Sequence, residues 1–190
     1  GMQPFVADEF GNVEVLDGSA VLLNSVQVSQ NGKKVAYLAE DADGGNVLMQ
    51  MEFGSSVEAT VVQANVEEFS FVGGNELFYY YDYANGAGKL AKAGEGDNSI
   101  DAASGVQFAK DTGRVYYLLL DETGNGKMEW WDGENRETID DGVFAFQYKG
   151  NGKAALIYGY NLLSAKGGLG YYDGKGVTKL DEDITAIFIN

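Results

Sequence analysis

Short apolar runs separated by glycine turns recur along the chain at an almost constant spacing. The apolar segments open at Val26, Val66, Val106, Val143 and Ile184, at intervals of 40, 40, 37 and 41 residues. A repeat of about 40 residues that is rich in short strands is typical of a β-propeller, in which each repeat forms one blade. The pattern therefore predicts an all-β fold made of four-stranded antiparallel blades.

Each repeat is predicted to contain four strands, which we name a to d. Strand b is apolar at successive positions, as at 35–38 and 115–120. Because neighbouring side chains of a strand point to opposite faces, such a run predicts a strand that is buried on both faces. Asp-Gly pairs predict tight hairpins between strands c and d, at Asp17-Gly18, Asp132-Gly133 and Asp173-Gly174.

The two ends of the chain fall at the same internal point of the repeat. Residues 3–7 fit strand b, whereas residues 184–189 fit strand a. We therefore predict a five-bladed β-propeller over residues 1–190, a single domain closed by pairing of the C-terminal strand with the N-terminal strands. Gly1 stands ahead of Met2 and is expected to be the remnant of a removed tag.

Composition narrows the classes of partner. The net charge is −16, with 13 basic and 29 acidic residues, and no basic run occurs. Nucleic-acid binding depends on Lys and Arg neutralising phosphates, so we expect no nucleic-acid partner. No apolar stretch approaches the roughly 18 residues of a membrane span, so we expect no direct membrane insertion by this chain.

The missing residue types exclude much catalytic and metal chemistry. The chain has no Cys and no His, so it cannot assemble a Ser-His-Asp triad, a Cys-His pair or a zinc site of the usual ligands. Carboxylate chemistry and metals with oxygen ligands remain open. No acidic residue lies in a recognisable catalytic motif, so we predict that the chain is not an enzyme.

One loop has oxygen-bearing side chains at alternate positions, at Asp41, Asp43 and Asn46. These three residues are the candidate metal ligands, with calcium as the expected ion, and residues 121–125 are a second candidate loop. The competing interpretation is a plain hairpin loop, since the glycine of an EF-hand is replaced by Asn46. The balance of the two interpretations predicts no cofactor.

Aromatic residues are numerous, with 12 Tyr, 10 Phe and 2 Trp. Two adjacent pairs precede Asp-Gly turns at equivalent places, Trp130 with Trp131 and Tyr171 with Tyr172. These four residues are the candidate ligand-binding residues, because a ring that reaches solvent can stack on a sugar or contact a protein side chain. Both faces of these strands are expected to be buried, so packing of the rings between blades is the favoured interpretation.

Two segments also resemble a known family. Residues 28–37 (VSQNGKKVAY) and, more loosely, residues 108–117 (FAKDTGRVYY) resemble the TolB-like propeller repeat, in which a Phe-Ser-Pro-Asp-Gly-Lys stretch precedes a buried strand. The resemblance implies a platform for protein or ligand binding, usually outside the cytoplasm, and supplies no catalytic residue.

The leading prediction is a non-catalytic binding module, part of a cell-surface or secreted protein, whose loops and channel mouth contact a protein or glycan partner. It implies an extracytoplasmic or cell-surface location, with the cytoplasm as the alternative. A rival function is a carbohydrate-active hydrolase, which needs two carboxyl groups about 5–10 Å apart. A structural spacer in a longer protein is the third hypothesis.

Overall fold

A computed structural model describes residues 5–7, 13–16, 21–54, 58–95, 98–122, 125–161, 163–164 and 166–184. Within these ranges the protein is almost entirely β-structure, with one short 3-10 helix at Leu23–Ser25. The strands are β1 (Phe5–Ala7), β2 (Val13–Val15), β3 (Gln27–Val28), β4 (Lys34–Glu40), β5 (Asn46–Glu52), β6 (Thr60–Ala64), β7 (Val66–Val72), β8 (Glu76–Ala84), β9 (Ala87–Lys92), β10 (Ser99–Ala109), β11 (Arg114–Leu120), β12 (Gly126–Trp131), β13 (Arg136–Gly150), β14 (Lys153–Asn161), β15 (Lys166–Tyr172) and β16 (Val177–Ile184). Over the same ranges, no helix has the length and apolar character needed to cross a membrane.

The chain divides into two compact units. Unit 1 comprises the described residues up to Ala84 together with Lys89–Ser99, and unit 2 comprises Asn85–Gly88 and the described residues from Ile100 onward. The prediction of one domain over residues 1–190 stays a prediction.

Unit 1 contains the first repeats. Strands β3, β4, β5 and β6 form a four-stranded antiparallel sheet in chain order, as predicted for strands a to d. Strand β4 is buried on both faces, because Val35 and Tyr37 pack in one core cluster and Ala36 and Leu38 in another. The apolar run of strand b is therefore explained by burial of the strand on both faces, as predicted.

In unit 2, strands β10 to β16 pair antiparallel in chain order. The long strand β13 serves two repeats, since its first half pairs with β12 and its second half with β14. The change occurs at Val143, which lies opposite both Gly126 and Tyr158. Strand d of one repeat thus continues into strand a of the next.

A left-handed backbone residue precedes three of the predicted a strands. Asn65 has φ 56°, Gly105 has φ 56° and Gly142 has φ 71°, and each stands one residue before the valine that opens strand a. Glycine adopts this conformation without steric penalty, and Asn tolerates it better than most residues. The repeat in sequence is therefore also a repeat in backbone conformation.

Equivalent glutamines join strands a of neighbouring repeats. The Gln27 side-chain amide donates a hydrogen bond to the Phe69 carbonyl at 2.9 Å in unit 1, and Gln107 donates to the Phe146 carbonyl at 3.1 Å in unit 2. Gln107 also accepts a hydrogen bond from the Tyr148 backbone amide at 2.7 Å. Because both glutamines stand one residue after the valine that opens the repeat, the two units use the same cross-link.

The predicted hairpins form where their residues are described. Asp132 accepts hydrogen bonds from the backbone amides of Glu134 and Asn135 at 2.9 and 2.6 Å. Asp173 accepts equivalent bonds from residues 175 and 176 at 2.8 and 2.9 Å. The Asp-Gly signal at 132–133 and 173–174 is thus explained by carboxylates that hold the turn. The pair at 17–18 lies outside the described residues.

Among the described residues, no strand pairing closes a ring. Strand β1 pairs with β2 in a separate two-stranded sheet, and β16 pairs with β15, so the sheets are not joined into a circle. The predicted closing strand at 184–189 lies, after Ile184, outside the described residues. An all-β fold therefore stands, in which β3 to β6 form a separate four-stranded sheet whereas β10 to β16 pair continuously. The division into five four-stranded blades and the closure of the ring stay predictions.

Candidate functional site

The four candidate ligand-binding aromatic residues lie on β12 and β15. Trp130 and Trp131 point to opposite faces of β12 and are only 6 % and 5 % exposed. Tyr172 is also buried and packs in the same core cluster as Trp130. Tyr171 is half-buried. A ligand role requires a ring that reaches solvent. Of these four residues, only Tyr171 is partly exposed.

The core around Trp130 contains unpaired polar atoms. Tyr116 lies directly opposite Trp130 across β11 and β12. Within the described part of the chain, neither the Tyr116 hydroxyl nor the Trp130 indole N–H has a hydrogen-bond partner, although both atoms are buried. The guanidinium carbon of Arg114 lies 3.7 Å from the centroid of the Trp130 ring, and Tyr116 stacks on Tyr148 with a centroid distance of 4.9 Å. Ring packing and a cation–π contact dominate this face.

The opposite face of the same two strands holds a buried carboxylate, Glu129, which is 4 % exposed. The Tyr117 hydroxyl donates to Glu129 Oε2 at 2.9 Å, and Arg136 Nε donates to the same oxygen. The Thr138 hydroxyl donates to the other oxygen, Oε1, at 3.2 Å. Tyr117, Glu129 and Thr138 lie opposite one another on three adjacent strands, so the strand register assembles the network.

The network keeps Glu129 ionised. Burial by itself raises the pKa of Glu129, but the hydrogen bonds from Arg136 and Tyr117 outweigh it, so the pKa lies below its usual range. Burial and the bond to Glu129 raise the pKa of the Tyr117 hydroxyl, which stays protonated as a donor. Because both carboxylate oxygens already accept hydrogen bonds, Glu129 is placed as a structural ion and not as an acid or base facing a substrate.

This network was hard to predict from the sequence. Glu129 is a charged residue between the apolar Met128 and Trp130, and a charged residue at a buried position requires a partner. That signal predicts that a partner exists but does not identify it, since Tyr117 and Arg136 reach Glu129 through strand pairing.

The candidate metal loop is a hairpin turn. Asp41 Oδ1 accepts hydrogen bonds from the backbone amides of Asp43 and Gly45 at 2.9 and 2.7 Å, and the Asp41 amide donates to the Gly45 carbonyl at 2.8 Å. Asn46 begins β5, opposite Glu40. The described residues contain no group of three or more acidic side chains arranged to hold a metal. One carboxylate oxygen of Asp41 thus holds the turn, and a calcium role for this loop stays a prediction.

A cavity of about 400 Å³ opens in unit 2 and is called the unit 2 pocket. Lys179 Nζ lies 4.7 Å from the centroid of the Tyr158 ring, and the Tyr158 hydroxyl donates to Asp140 Oδ2 at 2.6 Å. Burial and this hydrogen bond raise the pKa of Tyr158, so the hydroxyl remains a donor. The pocket is lined by Tyr158, Gly159, Asn161, Ser164, Lys166, Gly167, Gly168, Leu169, Lys179 and Asp181.

A second cavity, of about 520 Å³, lies in unit 1 and is called the unit 1 pocket. Its charged lining residues are Glu67 and Asp82. Asn65 and Asp82 both have a left-handed backbone, with φ 56° and 53°, and the Asn65 amide donates to Asp82 Oδ1 at 3.2 Å. Lys89 Nζ lies 3.6 Å from Asp82 Oδ2. This pocket is acidic, whereas two lysines and one aspartate line the unit 2 pocket.

No protein-family model and no curated protein matches the chain. Solved structures do match it. The β-propeller domain of the Trilobed protease from Pyrococcus furiosus, which has an open velcro topology, aligns with a TM-score of 0.54 and 13 % identity over 93 % of this chain and 62 % of that chain. The acylaminoacyl peptidase of Pyrococcus horikoshii aligns with a TM-score of 0.53 and 12 % identity over 90 % of this chain and 33 % of that chain.

TolB from Acinetobacter baumannii aligns less well, with a TM-score of 0.46 and 12 % identity over 94 % of this chain and 49 % of that chain. At these identities the matches to the protease propeller domain and to the acylaminoacyl peptidase show the fold alone, which is propeller-type. The predicted propeller is therefore confirmed at this level, and membership of the TolB-like repeat family is not shown. The chain spans about one third of the acylaminoacyl peptidase that it matches.

The predicted function is contradicted by these matches. A binding module of a cell-surface or secreted protein for a protein or glycan, with a carbohydrate hydrolase as the alternative, was expected, but the matched proteins include peptidases from three organisms. The physical source of the error is the aromatic content. The tryptophans that suggested glycan stacking are buried in the protein.

Proposed function

We propose that this chain is the propeller-type part of a peptidase system, where it contacts peptide substrates while residues outside the chain carry out hydrolysis. The observation that carries the proposal is that propeller-type structures aligned over nine tenths of the chain belong to proteins named as a protease or peptidases. Fold likeness does not transfer an activity, so the proposal needs its own test.

The residue types of the chain support the proposal that hydrolysis is carried out by residues outside it. With no His and no Cys among its 190 residues, the chain lacks the base and the thiol that activate a nucleophile in serine and cysteine peptidases. The buried Glu129 is already engaged by three donors. We therefore propose that the chain alone does not cleave peptides.

The proposal includes a five-bladed ring closed by the terminal strands. Its support is the count of five predicted a strands and the position of β16, a strand d, after which the repeat calls for another strand a. An open velcro topology, as in the matched protease propeller domain, is the alternative. Mass-spectrometric cross-linking between residues near the two ends of the chain distinguishes the two forms.

Calorimetric titration with an N-acetylated pentapeptide of alanine, leucine and phenylalanine tests the function. We expect saturable binding and, by mass spectrometry after prolonged incubation, an intact peptide. Cellopentaose serves as the control ligand and should produce no heat of binding. Absence of peptide binding, cleavage of the peptide by the purified chain, or binding of the glycan alone would each overturn the proposal.

A further inference from the structure

The unit 2 pocket is formed by three adjacent strands, β14, β15 and β16. Its volume of about 400 Å³ lies within the range of small-ligand sites. Glycines on β15 are needed for this geometry. A Cβ on Gly167 would lie 2.9 Å from the Tyr158 carbonyl oxygen, and one on Gly170 would lie 2.6 Å from the Tyr158 ring. These glycines therefore let the neighbouring strand and the Tyr158 ring approach closely.

The Tyr158 ring is held in a fixed position beside the pocket. Its hydroxyl is anchored on Asp140, and Gly170 leaves room for the ring against β15. Lys179 Nζ lies over the ring at 4.7 Å from the centroid. A cation–π contact positions an ammonium group without neutralising its charge. Within the described part of the chain, Lys179 forms no ion pair.

The second donor of the pocket is the side chain of Asn161. Its Oδ1 accepts hydrogen bonds from the backbone amides of Leu163 and Ser164 at 2.9 and 3.0 Å. Since two N–H groups point at this atom, it is the oxygen, and the amide nitrogen is the free end of the side chain. Over the described ranges, no acceptor is assigned to that nitrogen. The pocket thus combines the Lys179 ammonium group with an amide N–H₂ group, beside the charged side chains of Lys166 and Asp181.

The location of this positive charge is unusual for the protein. The chain carries 29 acidic and 13 basic residues, and the unit 1 pocket is lined by acidic side chains without a lysine. A ligand that bears a negative group is repelled by most of the surface and has a local attraction at Lys179. Donors of this type recognise carboxylates.

We propose that the unit 2 pocket binds the C-terminal carboxylate of a peptide, with Lys179 Nζ and the Asn161 amide as its donors. This inference rests on the proposed function, because it assigns the carboxylate to a peptide. The inference specifies which end of the peptide is recognised and which residues recognise it.

The test compares the N-acetylated pentapeptide with its C-terminal amide by calorimetric titration at low and moderate salt. For an exposed lysine we expect the free acid to bind about threefold to tenfold more tightly than the amide. Raising the ionic strength from about 0.02 to about 0.2 M should reduce the affinity for the acid and leave that for the amide almost unchanged.

Lys179→Gln removes the charge, and Lys175→Gln is the matched control, since Lys175 is an exposed lysine in the nearby β15–β16 turn. We expect Lys179→Gln to abolish the preference for the acid and Lys175→Gln to retain it. Thermal melting of both variants confirms that they fold. Asn161→Asp is a second variant, which keeps the turn-forming oxygen but replaces the donor by a negative charge and should weaken binding of the acid further.

The outcomes separate the two proposals. If both peptides bind equally and Lys179→Gln changes neither affinity, carboxylate recognition at this pocket is wrong while peptide binding stands. If neither peptide binds to the wild-type chain, both proposals fail. If Lys175→Gln loses the preference as fully as Lys179→Gln, the effect is one of overall charge and the assigned site is wrong.

Discussion

The two faces of the strand pair β11–β12 differ in whether their buried polar groups form hydrogen bonds. On one face the Tyr116 hydroxyl and the Trp130 indole N–H lack a partner in the described part of the chain. On the other face Tyr117 and Glu129 belong to a network in which both carboxylate oxygens accept hydrogen bonds. Tyr116 and Tyr117 are consecutive and equally buried, so burial alone does not determine what a tyrosine hydroxyl contributes. The contribution of the hydroxyl depends on whether it has a hydrogen-bond partner on the neighbouring strand.

The largest expected effect is on the paired face. Glu129→Ala leaves the Tyr117 hydroxyl and Arg136 without their acceptor, and breaking a buried ion pair strongly destabilises a protein. Because the Arg136 side chain is 43 % exposed and can be hydrated, we expect a loss of about 2–3 kcal/mol in the free energy of unfolding, measured by urea denaturation. Glu134→Ala, in the exposed adjacent turn, is the control and should change stability by less than about 0.5 kcal/mol.

Tyr117→Phe removes one donor from the network and keeps the ring. Glu129 Oε2 retains Arg136, so the expected loss is smaller, about 1–2 kcal/mol, by the same urea measurement. A loss equal to that of Glu129→Ala would mean that Tyr117 alone holds the carboxylate, and no loss would mean that the 2.9 Å hydrogen bond contributes nothing.

The pH dependence of stability should differ between the faces. The pKa of Glu129 is lowered in the folded protein, so its contribution is present above the unfolded pKa of about 4.3 and is lost as the pH falls through the folded value. The stability difference between wild type and Glu129→Gln should therefore shrink as the pH falls below the unfolded pKa and through the lower folded pKa. The difference between wild type and Tyr116→Phe should stay constant over that range. A constant difference for Glu129→Gln would contradict the ionised network.

The smallest expected effect is on the unpaired face. Tyr116→Phe removes a buried hydroxyl without breaking a hydrogen bond among the described residues, so stability should be unchanged or rise by up to about 1 kcal/mol. Urea denaturation should be measured for Tyr116→Phe and Tyr117→Phe in parallel. Each variant is a control for the other, because both remove one tyrosine hydroxyl and keep the ring. A loss of more than about 1 kcal/mol for Tyr116→Phe would show that its hydroxyl has a partner and would remove the contrast.

Much of the fold follows from local patterns. The apolar run at 115–120 predicts a strand buried on both faces, and Tyr116 and Tyr117 indeed lie on two buried faces. The Asp-Gly turns are local as well, because the carboxylate of Asp132 or Asp173 bonds to amides two and three residues later. Continuity of β13 through two repeats is not predictable in this way, since it depends on which strands pair with each half.

The site residues required information that a single sequence does not carry. The alternation of Trp130 and Trp131 to opposite faces was predictable from the pleat, and so was their packing between buried faces. The net charge of −16 gave no indication of a pocket lined by two lysines and one aspartate, because Lys179 approaches Tyr158 only after β14, β15 and β16 have paired. The net charge of the whole chain therefore did not predict a site for anionic groups.

Mapping of backbone amide chemical shifts by NMR, during titration with the N-acetylated pentapeptide acid, tests the functional account most directly. We predict that the largest shifts lie at Gly159, Lys166 and Lys179 around the unit 2 pocket, and that the amide form of the peptide shifts them less. Shifts centred on the acidic unit 1 pocket, or none at saturating peptide, would contradict the account.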